Sequence, residues 1–291
     1  MPHKRSELLV SPEELAVQLS DPSLVILDCT SAVVPSSNKP GFAVASGRQA
    51  FLDGHIPGAQ FIDLQEDISV PTEALLFTLP PVEFFAAAMK RFRIGHGSRV
   101  VLYSTGQPGW AARVWLMLRG FGFDNAAILD GGFSGWKQAG LPVEQGEASP
   151  CPVPAQEFDW RLREGIFVST SDVEATKSAS LVNALDQSAF RGEAAISYGR
   201  PGRIPGSINI PTSTLVDKAT GRYLKQNELE RLFDEAGLQE DSEIIAYCGA
   251  GVAASNVVFA RILAGSDAPA SVYDGSLLEW ASNPDRPLVT G

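Results

Sequence analysis

Cysteine is scarce in this 291-residue chain, which has three, Cys29, Cys151 and Cys248. They stand too far apart for a disulfide framework or a paired-cysteine metal site, and free thiols suit a reducing cytosol, so a cytoplasmic protein without a metal is expected. Histidine is as sparse: His3 is terminal, His96 falls in a loop, and only His55 belongs to a motif that recurs. Net positive charge is lacking too. A formal charge of −11 argues against nucleic acid as a partner. The basic start, Met1 to Glu7, runs into Ser11-Pro12-Glu13-Glu14 without a long apolar stretch, so neither a signal peptide nor a membrane anchor is read there.

Hydrophobic residues make up 44% of the chain, enough at this length for two cores of ordinary size. Ser11-Pro12-Glu13-Glu14-Leu15 has the cap, first-turn proline and acidic third position of a helix start, followed by apolar Leu15, Val17 and Leu19. Leu24 to Asp28 reads as a strand buried on both faces. The polar segment from Ser31 to Gly47 reads as a long loop, a class usually tied to function. A turn at Gly54 to Ala59 leads into a short strand at Gln60 to Ile62. A helix at Val82 to Phe92, a strand at Val100 to Tyr103, a helix at Ala111 to Gly120 and a strand at Ala126 to Leu129 follow. Strand and helix alternate, the pattern of a parallel α/β sheet.

The second half repeats the first. His55-Ile56-Pro57-Gly58-Ala59 matches Arg203-Ile204-Pro205-Gly206-Ser207, Tyr103-Ser104 matches Tyr247-Cys248, and Leu129-Asp130-Gly131-Gly132 with Trp136 matches Tyr273-Asp274-Gly275-Ser276 with Trp280. Three matches in order predict two copies of one α/β unit. Their expected bounds are residues 1–146 and 166–291, with a Pro-containing linker over 147–165.

Chemistry concentrates at Ile244 to Ser255. A short apolar strand ends at Cys248, Gly249 and Gly251 free the backbone to curl, and an apolar helix runs from Val252 to Leu263. A cysteine there faces loop amides and the positive end of a helix dipole, which favour its thiolate and so a nucleophile. On residue type alone an inert core cysteine is the alternative. The Gly-rich turn, where functional side chains gather, tips the reading to catalysis.

Cys248-Gly249-Ala250-Gly251-Val252-Ala253-Ala254 resembles the active-site loop of the rhodanese superfamily, above all the Cys-Gly-Ser-Gly-Val-Thr type of 3-mercaptopyruvate sulfurtransferases. The segments Gly54 to Ala59, Ala111 to Trp115, Leu129 to Trp136, Gly202 to Pro211 and Asp274 to Trp280 extend the resemblance over nearly the whole chain. It implies two tandem rhodanese-like domains, each a parallel sheet flanked by helices. Only the second is catalytic, since Ser104 stands where Cys248 stands in the second copy. It also implies a ping-pong transfer in which Cys248 takes a sulfane sulfur from a small donor as a persulfide. The sulfur then passes to a thiol, cyanide or thioredoxin-like acceptor, with no cofactor. The amides of Gly249, Ala250, Gly251, Val252 and Ala253 would cradle the persulfide. Uncharged Gly249 and Ala250 favour a mercaptopyruvate-like donor over thiosulfate.

The chain departs from that pattern in three places. Ala250 and Ala253 replace loop hydroxyls, and Leu185 stands where an anchoring arginine is usual. Arg191, with Arg200 and Arg203 behind it, is then the expected carboxylate binder, because a guanidinium donates two parallel hydrogen bonds. His55 is the candidate general acid, although Arg203 at the matching place argues for a turn role. Asp130 and Asp274 are read as turn residues bonding their own backbone, and Trp110, Trp115, Trp136 and Trp280 as core or interface aromatics. A cysteine phosphatase would need an arginine six residues after the nucleophile, where Ala254 stands. A thiosulfate-specific rhodanese and a non-enzymatic sulfur-relay or binding module are the remaining alternatives.

Overall fold

Two runs of short, β-rich apolar segments give the molecule two parallel sheets. The computed structural model describes residues 4–35, 42–70, 72, 75–148, 157–195 and 198–291. The first half contributes β1 (Leu9–Val10), β2 (Leu24–Asp28), β3 (Ser31–Pro35), β4 (Phe42–Ser46), β5 (Gln60–Phe61), β6 (Arg99–Tyr103) and β7 (Ala126–Leu129). The second contributes β8 (Phe167–Val168), β9 (Ser180–Asn183), β10 (Ile208–Asn209), β11 (Ile244–Tyr247) and β12 (Ala270–Tyr273). The sheets run β1-β7-β6-β2-β5 and β10-β9-β11-β12-β8. Read from opposite ends these are one order, with β6 equivalent to β11 and β2 to β9. Every pairing in both is parallel. Every residue of β2 and β11 is buried, as expected of central strands covered by helices on both faces.

The segment from Ser31 to Gly47 is not simply a loop. Its described residues form an antiparallel hairpin, β3 against β4, with Val33 opposite Val44. Short apolar alternations, Ala32-Val33-Val34 and Phe42-Ala43-Val44-Ala45, were hidden among Ser, Pro and Gly neighbours. The early helix spans only Pro12–Ala16, so Leu15 is buried while Val17 is exposed. Residues two apart lie on nearly opposite sides of a helix and cannot share its apolar face.

The helices Gly109–Gly120 and Val252–Leu263 are almost wholly buried and pack on each other, with Trp115 edge-on to Phe259 at 4.8 Å. One hydrophobic cluster therefore runs through both halves. Trp110, Trp115, Trp136 and Trp280 are buried as expected, and Trp136 and Trp280 donate to matching acceptors, Pro142 O and Pro287 O. Among the described residues no helix is long and apolar enough to cross a membrane.

Candidate active site

Cys248 directly follows β11 at the floor of a cleft, 3% exposed. Its backbone is fixed from behind: its amide donates to Ser276 Oγ (3.1 Å), its carbonyl accepts from Leu277 N (3.1 Å), and Gly249 O accepts from Leu278 N (3.0 Å). Ser276 occupies a left-handed backbone conformation at φ 49° and donates to Tyr273 O, so the loop is held by a strained but well-bonded turn. Gly251 has φ 80°, the left-handed value that turns the chain into the Val252–Leu263 helix, and Ser255 N and Oγ close that turn on Gly251 O. With the carbonyls engaged elsewhere, the amides from Gly249 to Ala253 donate to no protein group among the described residues. Five successive N–H groups without a protein partner, on the loop that follows the thiol, are available to a sulfur anion.

The cleft holds about 530 Å³ and its walls come from both halves. The β3–β4 hairpin contributes Ser31, Ala32, Val33, Phe42 and Val44, and the loop after β6 contributes Thr105, Gly106, Gln107, Gly109 and Trp110. Leu185, Asp186, Tyr198, Thr212 and Ser213 come from the second half. The N-terminus of the Gly109–Gly120 helix meets that of the Val252–Leu263 helix here, since a Cβ on Gly109 would sit 3.6 Å from Val252 O. Two helix dipoles thus present their positive ends to one cleft.

Tyr198 packs against the loop: any side chain at Gly249 would collide with its ring, which also meets Phe42 edge-on at 5.0 Å. Burial, then charge at Cys248 and Asp186, push the Tyr198 phenol up to about 12, so it remains a neutral hydrogen-bond donor. Beneath the loop lies Arg113, a fully buried cation from the first half. Its Nη2 donates to Asp274 Oδ1 and to Phe77 O, both at 2.6 Å, while Asp274 Oδ2 accepts from Leu79 N (3.0 Å). A Cβ on Gly251 would lie 3.0 Å from Arg113 Nη1, so the guanidinium abuts the nucleophile loop. Phe77, which lines the cleft, is held in place by this bond.

Of the residues expected at the site, the structure brings Cys248, Gly249, Ala250, Val252 and Ala253 to the cleft lining, with Gly251 behind them, and Leu185 beside them. It does not bring His55 there. That ring is fully buried, stacked on Phe51 at 3.9 Å, donating from Nδ1 to Phe51 O, and its strand bridge to Glu144 makes it a turn anchor. Arg191 is exposed and lines no part of the cleft. Arg200 donates to the carbonyls of Ala281, Asn283 and Arg286, so its fork caps the end of the last helix, Ser276–Trp280. Arg203 lies over the Phe190 ring and donates to Gly291 O, holding the C-terminus. None of the three arginines has its guanidinium in the cleft wall.

The two aspartates also depart from expectation. They bind across the halves rather than their own turns: Asp274 holds Arg113 and Leu79, and Asp130 accepts from Tyr223 N (2.8 Å). Ser104 is nearly as buried as Cys248, but its hydroxyl donates to Gln107 O, so the first copy's loop serves as a wall for the second copy's site. Sequence reasoning missed the hairpin, Phe77, Tyr198, Asp186 and Arg113. For Arg113 a signal existed, because a lone charge inside the apolar run Ala111 to Leu118 has to be paired. No local pattern marks Tyr198.

A sequence profile described as a rhodanese-like domain matches residues 11–139 and again 174–283. The 3-mercaptopyruvate sulfurtransferase of Escherichia coli is 34% identical over 285 residues, covering 96% of each chain. The human protein of that name is 34% identical over 241 residues, covering 80% of this chain and 79% of that one. The crystal structure of the Escherichia coli 3-mercaptopyruvate sulfotransferase superposes with a TM-score of 0.78 at 31% identity, covering 92% of this chain and 98% of that one.

Proposed function

Because the chain belongs to the rhodanese-like family and is a sulfurtransferase, we propose that it moves sulfane sulfur through a persulfide on Cys248. The observation that carries this is the run of unpartnered amides from Gly249 to Ala253 that follows Cys248 at the cleft. In the first step the thiolate attacks the donor's sulfur. With a mercaptopyruvate-type donor the carbon–sulfur bond breaks, its electron pair leaves as an enolate, and a proton completes the keto acid. Tyr198, a neutral phenol against the loop, is the hydroxyl placed to stand in for those that Ala250 and Ala253 lack. The terminal sulfur anion rests on the amides and the two helix ends until an acceptor thiolate, cyanide or a thioredoxin-like thiol takes it.

The uncharged loop, and the names of the Escherichia coli and human relatives, favour a mercaptopyruvate-type donor over thiosulfate. The free thiols of Cys29 and Cys248 fit a cytoplasmic enzyme, and the two units divide near residues 147–165, of which 149–156, Cys151 included, lie outside the described residues. The test is a donor panel, 3-mercaptopyruvate against thiosulfate, read by intact mass. One added sulfur on wild type and none on Cys248→Ser supports the reading. Loading that survives in Cys248→Ser overturns it.

A further inference from the structure

The cleft around Cys248 carries an unexpected charge. Apart from the Cys248 thiolate, Asp186 alone among the described residues that line it bears one, and it is negative. Its carboxylate accepts from Ser213 Oγ (3.1 Å) and forms no ion pair among the described residues. Of the cations that sequence reasoning assigned to this site, Arg191 is exposed and outside the cleft lining, and Arg200 and Arg203 are tied to carbonyls; Arg113 is paired with Asp274, and Leu185 stands where an arginine is usual. The cleft's walls are otherwise largely apolar and aromatic, with Tyr198, Phe42, Phe77 and Trp110, and Tyr198 feels the charge of Asp186. Aromatic faces and a carboxylate both favour a cation beside them. At about 530 Å³ the cleft also exceeds what a three-carbon donor fills, falling in the range used for larger organic ligands.

We infer that the thiol which accepts sulfur from Cys248 carries an ammonium group, seated at Asp186 while its sulfur reaches the loop. This rests on the persulfide reading above and adds a substrate class to it. In the step, the acceptor thiolate attacks the terminal sulfur of the persulfide. A sulfur–sulfur bond forms to the acceptor, the bond to Cys248 Sγ breaks, and its electron pair returns to Cys248 as the thiolate. The product is an aminothiol persulfide, and no external oxidant or reductant enters. The two ends of the cleft then have opposite roles: amides and helix ends hold the sulfur anion, and Asp186 holds the cation.

A charge series of similar small thiols tests this: cysteamine, 2-mercaptoethanol and mercaptoacetate. The enzyme is loaded until intact mass shows one added sulfur, then mixed with each thiol at equal thiolate concentration, and the discharge rate is followed. Cysteamine is expected to discharge it about 2- to 5-fold faster than 2-mercaptoethanol, and mercaptoacetate slower by a similar factor, the range for one partly solvated ion pair. Asp186→Asn should collapse the spread, Asp186→Glu keep it, and Asp186→Lys invert it. Mercaptoacetate as the fastest acceptor, or a spread unchanged in Asp186→Asn, overturns the inference. Failure of every donor to load Cys248 overturns the persulfide reading instead, a result visible before any acceptor is added.

Discussion

Arg113, in the first half, donates to Asp274, in the second, across 2.6 Å, and the arginine side chain is fully buried while the aspartate keeps 18% of its exposure. The pair joins the two sheets directly under the nucleophile loop. It also holds the backbone at Phe77 and Leu79, so the wall of the cleft depends on it.

That asymmetry of burial predicts an order of effects. Removing one partner of a buried pair costs about 3–5 kcal/mol when the other charge stays out of water. Asp274→Ala strands the buried guanidinium and should fall in that range, whereas Arg113→Met leaves a carboxylate that still reaches solvent and Leu79 N. Urea unfolding of both variants checks this. Equal losses, or a larger one for Arg113→Met, would show that Arg113 has other support.

Asp28 offers a pH prediction. Burial holds its carboxyl above the usual range, against the bonds it accepts from Thr30 N and Thr30 Oγ1 and its interaction with Tyr103. A carboxyl raised in the folded state stabilises fully below its unfolded value of about 4 and loses that contribution as pH rises through the folded one. At the equivalent place in the second sheet Asn183 accepts the matching bond, from Leu185 N at 2.9 Å. Asp28→Asn should therefore raise Tm at neutral pH and flatten the stability curve from about pH 4 upward. A melting series across that range decides it, and a Tm at neutral pH below wild type would contradict the account.

The strands, the main helices and the Cys248 loop were legible because each rests on local periodicity and turn chemistry. The Val252–Leu263 helix and the strand ending at Tyr247 stand where the sequence put them. What stayed hidden depends on contacts between segments far apart in the chain. Arg200 and Arg203 look like anion binders beside the Arg191 motif, yet their guanidinium groups are consumed by carbonyls more than eighty residues away. Val33 and Phe42 read as loop residues because nothing in the sequence says that a first-half hairpin reaches the second half's cysteine.

Gly249 is predicted to be intolerant of any side chain for a reason confined to one neighbour. An alanine Cβ there would run into the Tyr198 ring, with no other group implicated among the closest contacts. Gly249→Ala should cost about tenfold or more in kcat/KM, since a displacement of about 1 Å at a reacting group can cost a hundredfold. Adding Tyr198→Ala should restore room and recover part of the loading of Cys248 by thiosulfate, a donor whose sulfite leaves without the proton that the phenol would supply. If the double variant is no better than Gly249→Ala, the loop itself rather than the ring is what the methyl disturbs.

Cys248→Ser is expected to abolish transfer and Cys29→Ala to retain it. Cys29 is fully buried, its thiol pushed well above the ordinary range by burial and by the neighbouring Asp28, and it faces no cleft. Comparable loss of turnover in Cys29→Ala, with an unchanged melt, would sink the assignment of the nucleophile.

The last prediction separates Arg191 from Leu185. Losing a bidentate contact to a bound carboxylate costs about 1.5–3 kcal/mol, or about 10- to 150-fold in kcat/KM. Arg191 is exposed and outside the cleft lining, so Arg191→Ala should instead change kcat/KM by no more than about twofold, the scale of an ordinary surface substitution. Leu185→Arg places a guanidinium in the cleft wall, next in sequence to Asp186. There it would neutralise the carboxylate and offer a fork to an anionic donor, raising kcat/KM for 3-mercaptopyruvate while erasing any preference for aminothiols. Steady-state kinetics with both donors on the two variants reads this directly. A loss of tenfold or more in Arg191→Ala would mean that the arginine swings into the cleft when the donor binds, and the anion would then be held by Arg191 after all.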